Sequence, residues 1–341
     1  MNERAAPSLC GARPAARPGP ARARPASSLL AGDAGGPGPA KTEIVLDSWN
    51  DGPAKTAVVD FVASATAPGP GFVAVADRIA AFDNDGTLWV EQPLPPQFDF
   101  VFRTWAEEAR QDPSLARQQP YRAIVEKDMT FFERLAVQDP ETVETLLKAF
   151  GRSWTGSTPA EFDAQVRDWL RTSRQPKLGV PYIELVYSPM LELLELLRAH
   201  EFRVFVTSGG GRDFMRVFAE DTWGIYKENV IGTAADYTYA DGRIVRAERA
   251  LGGLDVGPGK PEHIFAQTGR LPAFAAGNAD VDVEMLESAR FALLVSHDDE
   301  EREFGYAKGA ERSLARAAEL GWTVVSMQTD WKTVFAPADH S

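Results

Sequence analysis

The stretch Arg78-Ile79-Ala80-Ala81-Phe82-Asp83-Asn84-Asp85-Gly86-Thr87 decides how the rest of the chain is read. An apolar run of strand length ends abruptly in acids, an amide and a glycine. A buried strand presents a site in this way at the carboxyl edge of an α/β sheet. Carboxylates at i and i+2 after such a strand repel each other unless a cation or a shared proton relieves them. A divalent cation does so, and Mg²⁺ suits an all-oxygen site that takes phosphate as a further ligand. One carboxylate can then attack phosphorus while the other handles the leaving-group proton. The same residue types also build ordinary Asx-rich turns, so the surroundings have to decide.

Downstream, from residue 92 to about 180, the character changes. Phe98, Val101, Phe102, Trp105 and Ala109 form one helical stripe. Asp139-Pro140 supplies an N-cap and an N1 proline for a helix carrying Val143, Leu146, Leu147 and Phe150. Thr158-Pro159-Ala160-Glu161 is a capping box ahead of Phe162, Val166, Trp169 and Leu170. No strand pattern interrupts, so residues 92–180 read as an all-helical insert.

Strand and helix patterns then alternate again. Ser188-Pro189 is expected to cap a helix, and residues 203–206 read as a strand ending in Thr207-Ser208-Gly209-Gly210-Gly211. A helix with Phe214, Val217 and Phe218 follows, then a hairpin over 237–245 turning at Asp241-Gly242. Further strands are expected at 274–276, 291–296 and 323–327, with a helix over 311–320. This alternation favours a mostly parallel sheet covered on both faces, built from residues 44–91 and 181–341.

Upstream, residues 1–43 are Ala, Pro, Gly and Arg with almost no aromatic or β-branched side chains. Such a segment cannot bury enough apolar surface to offset its ordering entropy, so it is expected to be a disordered tail. Its arginines resemble an export or transit leader, but Leu29-Leu30-Ala31 is too short for a secretory apolar core. A cytoplasmic protein is the expectation, with export the alternative if the tail is a leader. The five arginines and one lysine of the tail outnumber its three acids, so the remainder carries more than the whole net charge of −13. A body that acidic repels nucleic-acid backbones and anionic lipid, and no apolar stretch reaches membrane-spanning length. The single cysteine, Cys10, excludes an internal disulfide and a cysteine-rich zinc cage.

With its apolar strand, Phe82-Asp83-Asn84-Asp85-Gly86-Thr87-Leu88 resembles the first motif of haloacid dehalogenase superfamily phosphatases. Three later segments resemble the remaining motifs, in order. Thr207-Ser208-Gly209-Gly210 is similar to the second, in its phosphoserine-phosphatase-like form. Gly257-Pro258-Gly259-Lys260-Pro261 is similar to the third, and Gly277-Asn278-Ala279-Asp280-Val281-Asp282 to the fourth. Singly these are weak signals; a lone lysine is usually a solvated one, and glycine turns are common. Their order gives them weight. The resemblance implies a Rossmann-like parallel core whose helical insert is a cap domain. It implies Asp83 as nucleophile, Asp85 as acid–base and Lys260 as the charge that neutralises both the nucleophile and the phosphate. It implies Ser208, with Thr207 the alternative, and Gly209 as phosphate-binding groups. Mg²⁺ would be held by Asp83, Asp85, Asn278 and Asp282. Asn278 departs from the pattern by standing where the family has an acid, and Asp280 is a spare carboxylate nearby.

The reaction these residues suggest is hydrolysis of a small phosphomonoester through an aspartyl-phosphate. A phosphotransferase or mutase on the same intermediate is the alternative, as is a non-catalytic phosphate-binding protein. Glu91 is read as facing a substrate amine or solvent, Arg212 as reaching a leaving group or lying free, and His297 as binding substrate or capping locally.

Overall fold

The computed structural model describes residues 46–136, 139–251 and 253–336. The expected disordered tail, residues 1–43, lies outside them. α1 (Pro53–Thr66) leads to β1 (Ile79–Phe82), all four residues of which are buried. Five helices follow: α2 (Pro96–Gln111), α3 (Tyr121–Glu126), α4 (Met129–Ala136), α5 (Pro140–Ser153) and α6 (Pro159–Thr172). After α7 (Ser188–Ala199) come β2 (Arg203–Gly211), the short helices α8 (Arg212–Met215) and α9 (Ala219–Trp223), and β3 (Val230–Ala240) with β4 (Arg243–Leu251). The chain ends through α10 (Gly259–Thr268), β5 (Phe274–Gly277), α11 (Val283–Ser288), β6 (Phe291–Ser296), α12 (Glu311–Leu320) and β7 (Thr323–Ser326).

The strands form one sheet in the order β4-β3-β2-β1-β5-β6-β7, parallel throughout except for the β3–β4 hairpin. From β1 the chain steps outward through β2 and β3, then returns to β5 on the other side of β1. The order therefore reverses at β1 and β5, and open α/β sheets bind ligands beyond the carboxyl ends of the strands at such a reversal.

Alternation along β1 explains how both faces are covered, because successive side chains point to opposite sides. Ala80 and Phe82 join a core with Val58 and Val62 of α1 and Leu193, Leu194 and Leu197 of α7. Ile79 and Ala81 join a second core with Ile264 of α10, Met285 and Leu286 of α11 and Ala317 of α12. The parallel sheet expected from the strand pattern is the one observed.

The capping box that opens α6 is complete, with Thr158 and Glu161 bonding each other's backbone reciprocally. Phe100 of α2 gathers the helices of the insert. Its ring stacks on Trp154 at 5.5 Å, lies 6.0 Å from Phe162 and from Trp169, and meets Phe214 of α8 at 5.6 Å. That last contact pins the insert to the element following β2.

Several local expectations are corrected. β2 runs through the glycines to Gly211, because Thr207 and Ser208 pair with β3 and a register shift between Ser208 and Gly211 absorbs the rest. The helix expected after it is split into α8 and α9. The hairpin turns at Asp241 and Gly242, both with positive φ, but its first strand starts at Val230 rather than 237. Ser188 lies inside α7 instead of capping it, and its hydroxyl is buried without a partner.

Candidate active site

β1 delivers Asp83 to the sheet edge, where its N–H donates to the Ala276 carbonyl and extends the pairing with β5. The chain then turns back on itself. Gly86 N–H donates to the Trp89 carbonyl at 2.9 Å, and Gly86 sits at φ +73°. A Cβ there would lie 2.1 Å from Asn278 Nδ2, so the turn requires glycine twice over, for its backbone angle and for the close approach of Asn278. His297, after β6, donates through Nε2 to the Gly86 carbonyl (2.8 Å) and meets Glu303 through Nδ1 (3.2 Å). It therefore holds the turn.

One ammonium joins the segments. Lys260, fully buried near the start of α10, places Nζ 2.5 Å from Asp83 Oδ1 and 2.5 Å from Asp282 Oδ1. It also donates to the Thr207 carbonyl at 3.3 Å. Burial alone would push this ammonium down, but the carboxylates of Asp282 and Asp83 outweigh that and hold it above its ordinary value.

The acids around it are short of positive charge. Burial, reinforced by the negative charge of Asp282, pushes the Asp83 carboxyl up to about 8 against the pull of Lys260. Burial raises Asp85 to about 6, while the Trp89 indole, donating to Oδ1 at 2.7 Å, pulls the other way. Glu91 is raised to about 7, again by burial. Its Oε1 accepts from Asn278 Nδ2 at 2.8 Å and from the Tyr306 hydroxyl.

Of the residues expected on a metal, Asp83, Asp85 and Asn278 face one another's segments, and Asn278 Oδ1 accepts from Thr87 Oγ1 at 3.1 Å. Asp282 is engaged otherwise. Its Oδ1 takes Lys260, and its Oδ2 takes the Asn278 and Ala279 N–H groups at 3.0 Å each, which makes it an anchor for the lysine and the loop. Asp280, the spare carboxylate, is spent on the Ser313 N–H of α12. Among the described residues no three His, Cys, Asp or Glu side chains are arranged to hold a metal by themselves. The oxygens on offer are mixed, with carboxylates at Asp83 and Asp85, an amide at Asn278 and backbone carbonyls in the turn. Four buried or half-buried acids (Asp83, Asp85, Glu91 and Asp282) face the single ammonium of Lys260, and Asn84 Oδ1 is buried without a partner. Hard oxygen donors with surplus negative charge fit a divalent cation of the Mg²⁺ kind.

On the β2 side, Thr207 Oγ1 donates to the buried Asp255 at 2.7 Å and so faces inward. Ser208 Oγ accepts only the nearby Gly210 N–H, at 3.0 Å. That separates the two hydroxyls: Ser208 is the one lightly held at the edge. Gly209, Gly210 and Gly211 border a cavity of about 150 Å³ together with Asp85. Gln97 of α2 reaches down to accept the Gly211 N–H at 2.6 Å. Arg212 is turned to Asp213 at 3.3 Å, where Arg246 also binds at 2.8 Å, so it is not free for a leaving group.

Trp89, Gln97, Asp255 and Tyr306 were not legible as site residues. A tryptophan among eight, or a glutamine at a helix start, carries no motif, and each acquires its role only through tertiary contact. The spacing of Trp89 four residues after Asp85 was the one local hint.

A family model described as haloacid dehalogenase-like hydrolase matches residues 80–287. No curated protein matches the sequence significantly. Among solved structures, a functionally unknown protein from Anaerococcus prevotii DSM 20548 aligns at 13% identity with a TM-score of 0.52, over 82% of this chain and 94% of its own. A protein of unknown function from Bordetella pertussis Tohama I aligns at 17% and 0.47, over 73% and 97%. A phosphoserine phosphohydrolase-like protein from Francisella tularensis subsp. tularensis SCHU S4 aligns at 14% and 0.38, over 71% and 99%. At 13% identity the Anaerococcus likeness speaks for the fold alone. The family model, however, spans well over half the sequence and contains every segment that Lys260 draws together: the chain belongs to the haloacid dehalogenase-like hydrolases, with a Rossmann-like core.

Proposed function

We propose that the protein is a divalent-cation-dependent phosphatase that hydrolyses a small phosphomonoester through an aspartyl-phosphate on Asp83. The observation that carries this reading is the position of Lys260 Nζ, 2.5 Å from Asp83 and from Asp282 and within reach of the Thr207 carbonyl. A carboxylate held by a buried ammonium beside a second acid and a glycine-rich edge is arranged for nucleophilic attack on an anion.

In the first step an Asp83 oxygen attacks phosphorus in line, and the bond from phosphorus to the ester oxygen breaks. Asp85, whose carboxyl burial raises to about 6, gives its proton to the departing alkoxide. In the second step Asp85 takes a proton from water, whose oxygen attacks phosphorus and frees Asp83 and inorganic phosphate. Lys260 pulls the Asp83 carboxyl toward its ionised form against burial and the charge of Asp282, and Ser208 with the neighbouring N–H groups binds the equatorial oxygens where transition-state charge spreads. A bound Mg²⁺, held by Asp83, Asp85 and Asn278 with Glu91 adding charge behind the amide, would neutralise the phosphoryl oxygens. The helices between β1 and β2, residues 92–180, serve as a cap that excludes water from the attack.

The test is phosphate release from p-nitrophenyl phosphate with Mg²⁺ or with EDTA. Turnover that needs the cation and falls at least about 1,000-fold in Asp83→Asn is expected. Full activity in a folded Asp83→Asn protein would overturn the assignment.

A further inference from the structure

The cavity beside Asp85 has a floor of catalytic character and walls of a different kind. Its floor is Asp85 with Gly209, Gly210 and Gly211. Its walls are Phe98 and Val101 of α2 with Leu146, Leu147 and Phe150 of α5. Among the described residues no lysine, arginine or histidine lines it, and the polar side chains at its border are Asp85, Gln97 and Thr233. Gln97 already holds the Gly211 N–H, and Thr233 Oγ1 already donates to the Gly209 carbonyl at 2.8 Å.

At about 150 Å³ the space matches the apolar cavity that takes a benzene molecule in engineered proteins. A second space of about 240 Å³ shares Leu147, Phe150 and Thr233; Arg246 borders it, with its guanidinium already taken by Asp213 at 2.8 Å. An ester whose phosphoryl group sits over the β2 glycines beside Asp85 can lay its alcohol against these walls.

We infer that the leaving group is apolar: the substrate is the phosphate monoester of an aryl or alkyl alcohol with a ring-sized hydrocarbon next to the ester oxygen. The inference rests on the phosphatase reading and names its substrate class. An amino-acid phosphate would bring a carboxylate to a wall with no cation and an acid at its base. A sugar or nucleoside phosphate would bury hydroxyls against leucine and phenylalanine without hydrogen-bond partners, which selects against binding. Hydrocarbon gains instead, by about 3- to 4-fold in kcat/KM for each methylene that leaves water.

Benzyl and n-butyl phosphates are compared with methyl phosphate, glycerol 1-phosphate and O-phosphoserine, all esters of aliphatic alcohols. The expected order puts benzyl and butyl phosphate at least about 100-fold above the glycerol and serine esters in kcat/KM. Leu147→Gln is expected to lower the ratio of benzyl to methyl phosphate kcat/KM by about 10-fold. Equal or better turnover of the polar esters would overturn the inference and leave the phosphatase reading intact. A calorimetric comparison of benzylphosphonate with methylphosphonate reads the pocket without hydrolysis, and at least about 10-fold tighter binding of the benzyl compound is expected. If that preference holds while no ester is cleaved, the phosphatase reading falls and the apolar site stands. If it is absent, the site assignment falls.

Discussion

Trp89 acts on the chemistry through one hydrogen bond. Its indole N–H stabilises the ionised form of Asp85, so removing it raises that carboxyl further above its ordinary range. The first step needs Asp85 protonated, so Trp89→Phe should move the alkaline limb of the kcat/KM profile to higher pH; an unmoved or acid-shifted limb would contradict this role. Asn278 makes a second residue-scale prediction. Its Nδ2 lies 2.8 Å from Glu91, and Asn278→Asp would set two carboxylates against each other there. In EDTA the variant should lose about 2–6 °C in Tm, and added Mg²⁺ should raise its Tm by more than it raises that of the wild type. Thermal unfolding with and without the cation checks both. The Asp83 and Lys260 positions were legible in the sequence because their motifs are contiguous and ordered. Asp282 was legible as a site residue but not in its contacts, since only the folded loop shows both its oxygens already taken.

At the scale of elements, the buried strands announced themselves. Phe291–Ser296 was expected over the same residues because a strand covered on both faces is a continuous apolar run. The capping box and the Asp-Gly turn were equally plain, since their chemistry is local. The extension of β2 through Gly211 was not, because glycines carry no strand signal and the pairing with β3 supplies it. The short helices α3 and α4 offered too few turns for a periodic stripe. Phe100 tests whether the helices of the insert and the core behave as one packed unit. It is nearly fully buried among Trp154, Phe162, Trp169 and Phe214, so Phe100→Ala should cost about 3–5 kcal/mol in urea unfolding. A loss below about 1 kcal/mol would mean that the cluster does not tie the insert down.

The whole molecule sets a problem for its own substrate, with a net charge of −13 and a dianionic ester to attract. Screening this repulsion should help encounter, so kcat/KM should rise by about 2-fold between low and physiological ionic strength, where the Debye length shrinks to about 8 Å. A fall would contradict this reading of the charge. Among the described residues, no helix is long and apolar enough to cross a membrane. What the molecule does have is a sheet whose strand order reverses at β1 and β5, and that reversal brings segments far apart in the chain to one ammonium.

Acid-quenching the protein during turnover of a phosphate-labelled ester, followed by mass spectrometry of its peptides, tests that arrangement most directly. The account predicts a phosphorylated peptide carrying the label on Asp83, formed within one turnover and missing from Asp83→Asn. Label on any other residue, or steady turnover with Asp83 never phosphorylated, would contradict it.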